Sequence, residues 1–190
     1  MHPQRNICVY CGSSDGNRPE YRAVAAELGA AMAQADIGLV YGGACVGLMG
    51  AVADAVLAAG GRVIGFIPRQ LLEREVAHHG LTELHVVETM HERKHGMAAL
   101  ADAFLALPGG YGTFDELCEI LGWAQLGIHA KPVLILNQGG YYDPLLTMLD
   151  RAVEEGFLKQ PNRQAAMQAA TVDAAMRAIQ SAWDAKAQGR

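Results

Sequence analysis

The sequence predicts an α/β fold in which a doubly wound, mostly parallel sheet carries helices on both faces. Two observations point there first. Short apolar runs that read as buried strands alternate with longer segments whose apolar residues recur at helical spacing, the pattern of a parallel sheet with crossover helices. Glycine-containing loops follow the first, second and fifth of those strands, so they open together on one edge of the sheet, where such folds bind ligands. The third observation is one of size. With 190 residues, 51% of them hydrophobic, and no linker-like stretch, the chain suffices for one domain over residues 1–190 with a substantial core.

Residues 6–10 read as the first strand, and Cys11-Gly12-Ser13-Ser14-Asp15-Gly16 as the loop after it. Ser13 and Ser14 could offer amides and hydroxyls to a phosphate or ribose, or the loop could be an ordinary strand-to-helix turn. Pro19 suits a first helical turn, and Tyr21, Val24, Leu28, Met32 and Ala35 form one stripe. Residues 37–41 make a second strand that runs into Gly42 and Gly43. The small residues Gly50, Ala51, Ala53 and Ala55 then predict a helix packed close to the sheet. Residues 62–67 form a third strand, ended by Pro68. A polar stretch from Arg69 to Gly80 reads as solvated surface, before a fourth strand at 83–88.

Thr89 is placed to cap a helix running to Ala101, with Glu92 at capping-box spacing. Residues 103–107 form the fifth strand, a helix extends to about Gln125, and 132–136 form the sixth strand. Everything from Tyr141 onward is expected to be helical, with one stripe through Leu145, Leu149 and Val153 and another through Val172, Met176, Ile179 and Trp183. This order of elements is Rossmann-like.

The chain is organised around Pro108-Gly109-Gly110-Tyr111-Gly112-Thr113-Phe114-Asp115-Glu116, where a strand passes through a glycine turn into a helix. Glycines permit positive φ and close approach of a ligand to the backbone. The first helical amides, unpaired and at the positive end of the dipole, suit a phosphate. Thr113 and Glu116 also have capping-box spacing, so Glu116 could simply cap its helix. Arg93 could be a solvated helix-surface arginine and Lys94 an exposed lysine.

Several other chemistries have formal signatures here. Cys8 and Cys11 spell C-x-x-C, but Cys8 falls inside a strand, where positions i and i+3 face opposite ways, so buried hydrophobes are expected rather than a redox pair. His91-Glu92-x-x-His95 matches a zinc-protease pattern, yet Glu92 has a capping role, Arg93 and Lys94 add positive charge, and no third ligand is evident. Neither G-x-G-x-x-G nor a P-loop is present. The formal net charge of −5 and the absence of a dense basic run argue against a nucleic-acid surface. The polar start and the lack of an apolar run near the ~20 residues of a membrane span give a cytoplasmic expectation.

Pro-Gly-Gly-x-Gly-Thr-x-x-Glu, together with Met90-His91-Glu92-Arg93-Lys94 and Gly42-Gly43-Ala44-Cys45-Val46-Gly47-Leu48-Met49-Gly50, resembles the LONELY GUY (LOG) family of cytokinin riboside 5'-monophosphate phosphoribohydrolases, often filed as lysine decarboxylase-like. The resemblance spans residues 7 to about 158. It implies hydrolysis of the N-glycosidic bond of an adenosine 5'-monophosphate, without cofactor or metal, with Arg93 and Glu116 as the catalytic pair. The implied substrate contacts are Ser13, Ser14, Gly43, Glu75, Lys94, Gly109, Gly110, Tyr111, Gly112, Thr113 and Asp115, and the implied partner is a second copy of the chain. Gly122 departs from the plant pattern, which places threonine before Trp-Ala-Gln, and Asp115 replaces the usual glutamate. The alternatives are a non-catalytic nucleotide-binding sensor or carrier and a pyridoxal decarboxylase. The latter needs a Schiff-base lysine, and none of Lys94, Lys131, Lys159 and Lys186 is clearly placed for it.

Overall fold

A computed structural model describes residues 5–72 and 77–189. Seven strands form one sheet, β1 (Asn6–Tyr10), β2 (Gly38–Tyr41), β3 (Val63–Pro68), β4 (Glu83–Val87), β5 (Ala103–Ala106), β6 (Val133–Leu136) and β7 (Ala166–Ala169). Their order is β4-β3-β2-β1-β5-β6-β7, and every ladder is parallel. The chain therefore winds outward from β1 in one direction as far as β4, then returns to β5 on the other side of β1. The carboxyl ends of β1 and β5 diverge there, which creates the crevice in which doubly wound sheets bind ligands.

Alternation along the central strands builds two cores. Ile7, Val9, Leu39, Leu105 and Leu134 point to one face, where α1 (Pro19–Gln34), α2 (Gly47–Ala58) and α8 (Val172–Ala187) bury Leu28, Val52 and Ile179 against them. Cys8, Tyr10, Val40, Phe104 and Ile135 point to the other. There α4 (Met90–Leu100), α5 (Tyr111–Gln125) and α6 (Asp143–Glu154) contribute Met97, Leu117, Ile120 and Leu146. Two-sided burial is why β1, β2, β5 and β6 read as continuous apolar runs. The short α3 (Arg69–Leu72) follows β3, and α7 (Gln160–Ala165) precedes β7.

The small-residue helix α2 packs on the sheet and also crowds against α1, where a Cβ on Gly29 would come within 2.5 Å of the Val52 carbonyl oxygen. One expectation about the fold needs correction. The region after Tyr141 is not all helical. Its residues Ala166–Ala169 form β7, a strand with no β-branched residue, held by its ladder to β6 and by the Asn137 amide on the Ala169 carbonyl at 2.8 Å. The sheet, expected to be mostly parallel, is parallel in every ladder. Among the described residues no helix is long and apolar enough to cross a membrane.

Candidate active site

The loops after β1, β2 and β5 meet at the crevice and are stitched together by backbone bonds. The Gly12 carbonyl accepts from the amides of Leu48 and Met49 at the start of α2, and the Gly12 amide donates to the Pro108 carbonyl at 3.0 Å. That arrangement satisfies the α2 N-terminus from within the protein. The N-terminus of α5 is different. Its cap residue is Gly110, which has no side chain to accept from the first amides, so these amides stay available at the positive end of a 15-residue helix.

Most of the glycines serve the packing of the loops rather than the ligand. A Cβ on Gly109 would strike the Thr113 hydroxyl, and one on Gly42 would strike the Arg93 guanidinium. Only Gly110 and Gly112 of the central motif face open space. None of Gly109, Gly110 and Gly112 adopts positive φ, contrary to the expectation, whereas Gly43 and Gly47 do, at 80° and 57°. Absence of a Cβ matters in the central turn for proximity, not for handedness.

A cleft of 190 Å³ lies above these loops, lined among others by Ser13, Arg93, Tyr111, Thr113, Asp115 and Glu116. The chain supplies Arg93 from the first turns of α4, whose start is fixed by the expected cap. Thr89 Oγ1 accepts from the Glu92 amide at 3.1 Å, and the Glu92 carboxylate accepts from the Glu88 amide at 2.8 Å. Arg93 is therefore not a solvated arginine. It is 7% exposed, its Nε donates to the Phe66 carbonyl at 3.1 Å and its Nη2 to the Gly42 carbonyl at 3.0 Å. Those two bonds, from the ends of β3 and β2, fix the guanidinium plane at the cleft. Nη1 has the Met90 sulfur beside it, 3.9 Å away.

Glu116 does not cap its helix, because α5 begins at Tyr111 and places Thr113 and Glu116 within its first two turns. Thr113 is buried, and the Glu116 carboxyl reaches the cleft partly buried. Burial raises its pKa from 4.5 to about 7, against the opposing pull of the Arg93 charge; Asp115 adds to the rise and Lys94 subtracts from it. A carboxyl that titrates near neutrality beside a fixed guanidinium is suited to acid–base work.

Other residues singled out in the sequence stand elsewhere. Ser14, Gly43 and Gly109 support the loops without lining the cleft. Lys94 is held by Asp115 at 2.9 Å and Glu119 at 3.1 Å; burial pulls its pKa down, but these bonds outweigh that and raise it. Glu75 lies outside the described residues. Cys11, Gly12, Gly42, Met49 and Met90 line the cleft without having been singled out as contacts. The available signal was their place inside the motifs. Cys8 and Cys11 sit in opposite cores, and burial pushes both thiols up. No cluster of metal-ligating side chains occurs among the described residues, and no lysine among them lines the cleft.

Fold and site together define a doubly wound α/β protein with a small cleft at the switch point of its sheet, beside the uncapped N-terminus of α5. A family model described as "Possible lysine decarboxylase" matches residues 49–179. The chain is 52% identical over 167 residues to the cytokinin riboside 5'-monophosphate phosphoribohydrolase LOG of Oryza sativa subsp. japonica, covering 88% of this chain and 69% of that protein. It is 51% identical over 160 residues to the cytokinin riboside 5'-monophosphate phosphoribohydrolase LOG2 of Arabidopsis thaliana, covering 84% and 75%. The solved Moco carrier protein from Chlamydomonas reinhardtii shares the fold, with a TM-score of 0.71 at 21% identity over 96% of this chain and 99% of that one. The chain belongs to the LOG family.

Proposed function

We propose that the protein hydrolyses the N-glycosidic bond of adenosine 5'-monophosphates, N6-modified ones included, to free base and ribose 5-phosphate. The observation that carries this reading is Glu116, a carboxyl with a pKa of about 7 held in one cleft with the immobilised Arg93 guanidinium and the uncapped N-terminus of α5. The phosphate is received by the amides of that N-terminus, which places the ribose over Glu116. As the bond from C1' to the base breaks, its electron pair leaves with the base and positive charge spreads over the ribose. The Glu116 carboxylate stabilises that charge and takes a proton from the attacking water. Arg93 offsets the negative charge of the departing base, which takes a proton from solvent water as it leaves, and the proton held by Glu116 returns to solvent to close the cycle. Asp115 keeps Lys94 at the rim of this field.

The cleft, at 190 Å³, falls below the roughly 300–1,000 Å³ of most small-molecule sites. It therefore takes the ribose phosphate, while the base extends past the exposed Tyr111. Ile128 is exposed at a hollow lined by Ala98, Ala99 and Trp123 on the outer side of α4 and α5, a face that a second copy of the chain would cover in a homodimer. The enzyme is proposed to act in the cytoplasm on free nucleotides and not on nucleic acid.

The test is incubation of the purified protein with AMP and with isopentenyladenosine 5'-monophosphate, following base and ribose 5-phosphate separately. Both products are expected in equal amounts, and Arg93→Ala is expected to slow their release about 100-fold or more. Thermal stabilisation by the nucleotides without any product would instead make the chain a binding or carrier protein.

A further inference from the structure

Three successive carbonyls in the turn from β5 into α5 are each held by a separate donor. The Tyr142 hydroxyl donates to Leu107 O at 2.6 Å, the Gly12 amide to Pro108 O at 3.0 Å, and the Tyr141 hydroxyl to Gly109 O at 2.5 Å. The next carbonyl, that of Gly110, accepts the first helical bond of α5 from Phe114. Two of these donors are adjacent tyrosines that precede α6 in the loop after β6. That loop is itself braced: Asn137 Oδ1 accepts from the Tyr142 amide at 2.7 Å, and Asn137 Nδ2 donates to Asp143 at 2.6 Å. Tyr142 is buried, and burial keeps its phenol protonated and hence a donor. The Tyr141 ring packs edge-on against Tyr142 and against Tyr21 of α1, with centroids 5.0 and 5.8 Å apart.

The peptide between Gly109 and Gly110 joins two residues without Cβ atoms, so side-chain sterics resist its rotation least of any in the turn. In a trans peptide the carbonyl and the amide point in opposite directions. Anchoring the Gly109 oxygen on Tyr141 therefore sends the Gly110 amide away from the tyrosine pair, and Gly110 lines the cleft. A flipped peptide would place an oxygen acceptor where the donor stands, and an anion would meet repulsion in place of a hydrogen bond.

We propose that Tyr141 is a positioning residue whose hydroxyl locks the Gly109–Gly110 peptide in its anion-binding orientation, with Tyr142 fixing the preceding residue of the same turn. The proposal rests on the phosphate-directed reading of the cleft given above. It assigns to the loop after β6 a share in substrate affinity without any contact to the substrate.

The experiment compares Tyr141→Phe, which keeps the ring and loses the hydroxyl, with Tyr21→Phe, which loses a hydroxyl from the ring packed beside it. Inorganic phosphate binding is measured by calorimetry, and KM and kcat with AMP. Tyr141→Phe is expected to weaken phosphate binding and raise KM roughly tenfold, the scale of one hydrogen bond, with kcat changed less than about threefold. Tyr21→Phe is expected to leave phosphate binding as it was. Unaltered phosphate binding in Tyr141→Phe, equal weakening in both variants, or a loss confined to kcat would overturn the proposal, as would a wild-type protein that binds no phosphate. If the wild type binds phosphate yet hydrolyses no nucleotide, the hydrolase reading falls, and the phosphate comparison still decides the role of Tyr141.

Discussion

Glu116 takes one of the two roles that the sequence presented as alternatives. Its spacing from Thr113 suggested a capping box, but the cap position falls on Gly110, and the carboxyl is left for the cleft. The cost of that placement is visible in its raised pKa and has a definite sign. The folded protein holds the Glu116 proton more tightly than the unfolded chain, so this contribution to stability is full below pH 4.5 and is lost as pH rises to about 7. Glu116→Gln is expected to flatten that part of the stability profile and to make the protein more stable than wild type at pH 8, by up to roughly 3 kcal/mol. Denaturant titrations of both proteins at pH 5 and pH 8 check this, and parallel profiles would show the carboxyl to be ordinarily solvated. Arg93 follows similar logic. Nothing in a run of Met-His-Glu-Arg-Lys says which basic residue turns inward; the choice is made by two carbonyls, of Phe66 and Gly42, that arrive from strands 27 and 51 residues away in sequence.

At the scale of elements, α4 and α5 show which local signals survive into the fold. The Thr89 cap was legible because it depends on residues three positions apart, and it holds the turn that carries Arg93. The start of α5 was not legible to the residue, since three glycines allow several starting points and tertiary contact selects one: Gly109 must lie against the Gly12 backbone, whose amide holds the Pro108 carbonyl. Strand β7 was missed for a related reason. Ala-Met-Gln-Ala has no strand preference of its own, and its conformation comes from the neighbouring β6 ladder and from α8 above it. Gly122 offers a test of local preference alone. It sits inside α5 with ordinary helical φ and open space at its Cβ position. Gly122→Ala is expected to stabilise the protein by about 0.5–1 kcal/mol, a rise of roughly 1–4 °C in Tm. A calorimetric scan showing a lower Tm would mean that the glycine is required for packing not evident in one protomer.

For the whole molecule, the strand order decides where chemistry can happen. Placing β1 between β2 and β5 brings the three glycine loops to one end of the sheet, although they are separated by up to about a hundred residues of chain. That convergence could be read from alternating strands and helices, because a parallel sheet puts the carboxyl ends of all its strands on the same side. The supports of the site could not. The Gly12 bridge between two loops, the tyrosine pair behind the central turn and the Lys94 clasp between α4 and α5 are all products of close approach between distant segments.

The most direct measurement is the rate of ribose 5-phosphate release from AMP at pH 8 by wild-type protein and by Glu116→Gln, with AMP binding to each measured alongside. The structure predicts that Glu116→Gln still binds AMP and loses about 100-fold or more of its turnover, since the neutral amide fills the same space without the charge. Equal rates in the two proteins would contradict the assignment of Glu116 and, with it, the placement of the reaction in this cleft.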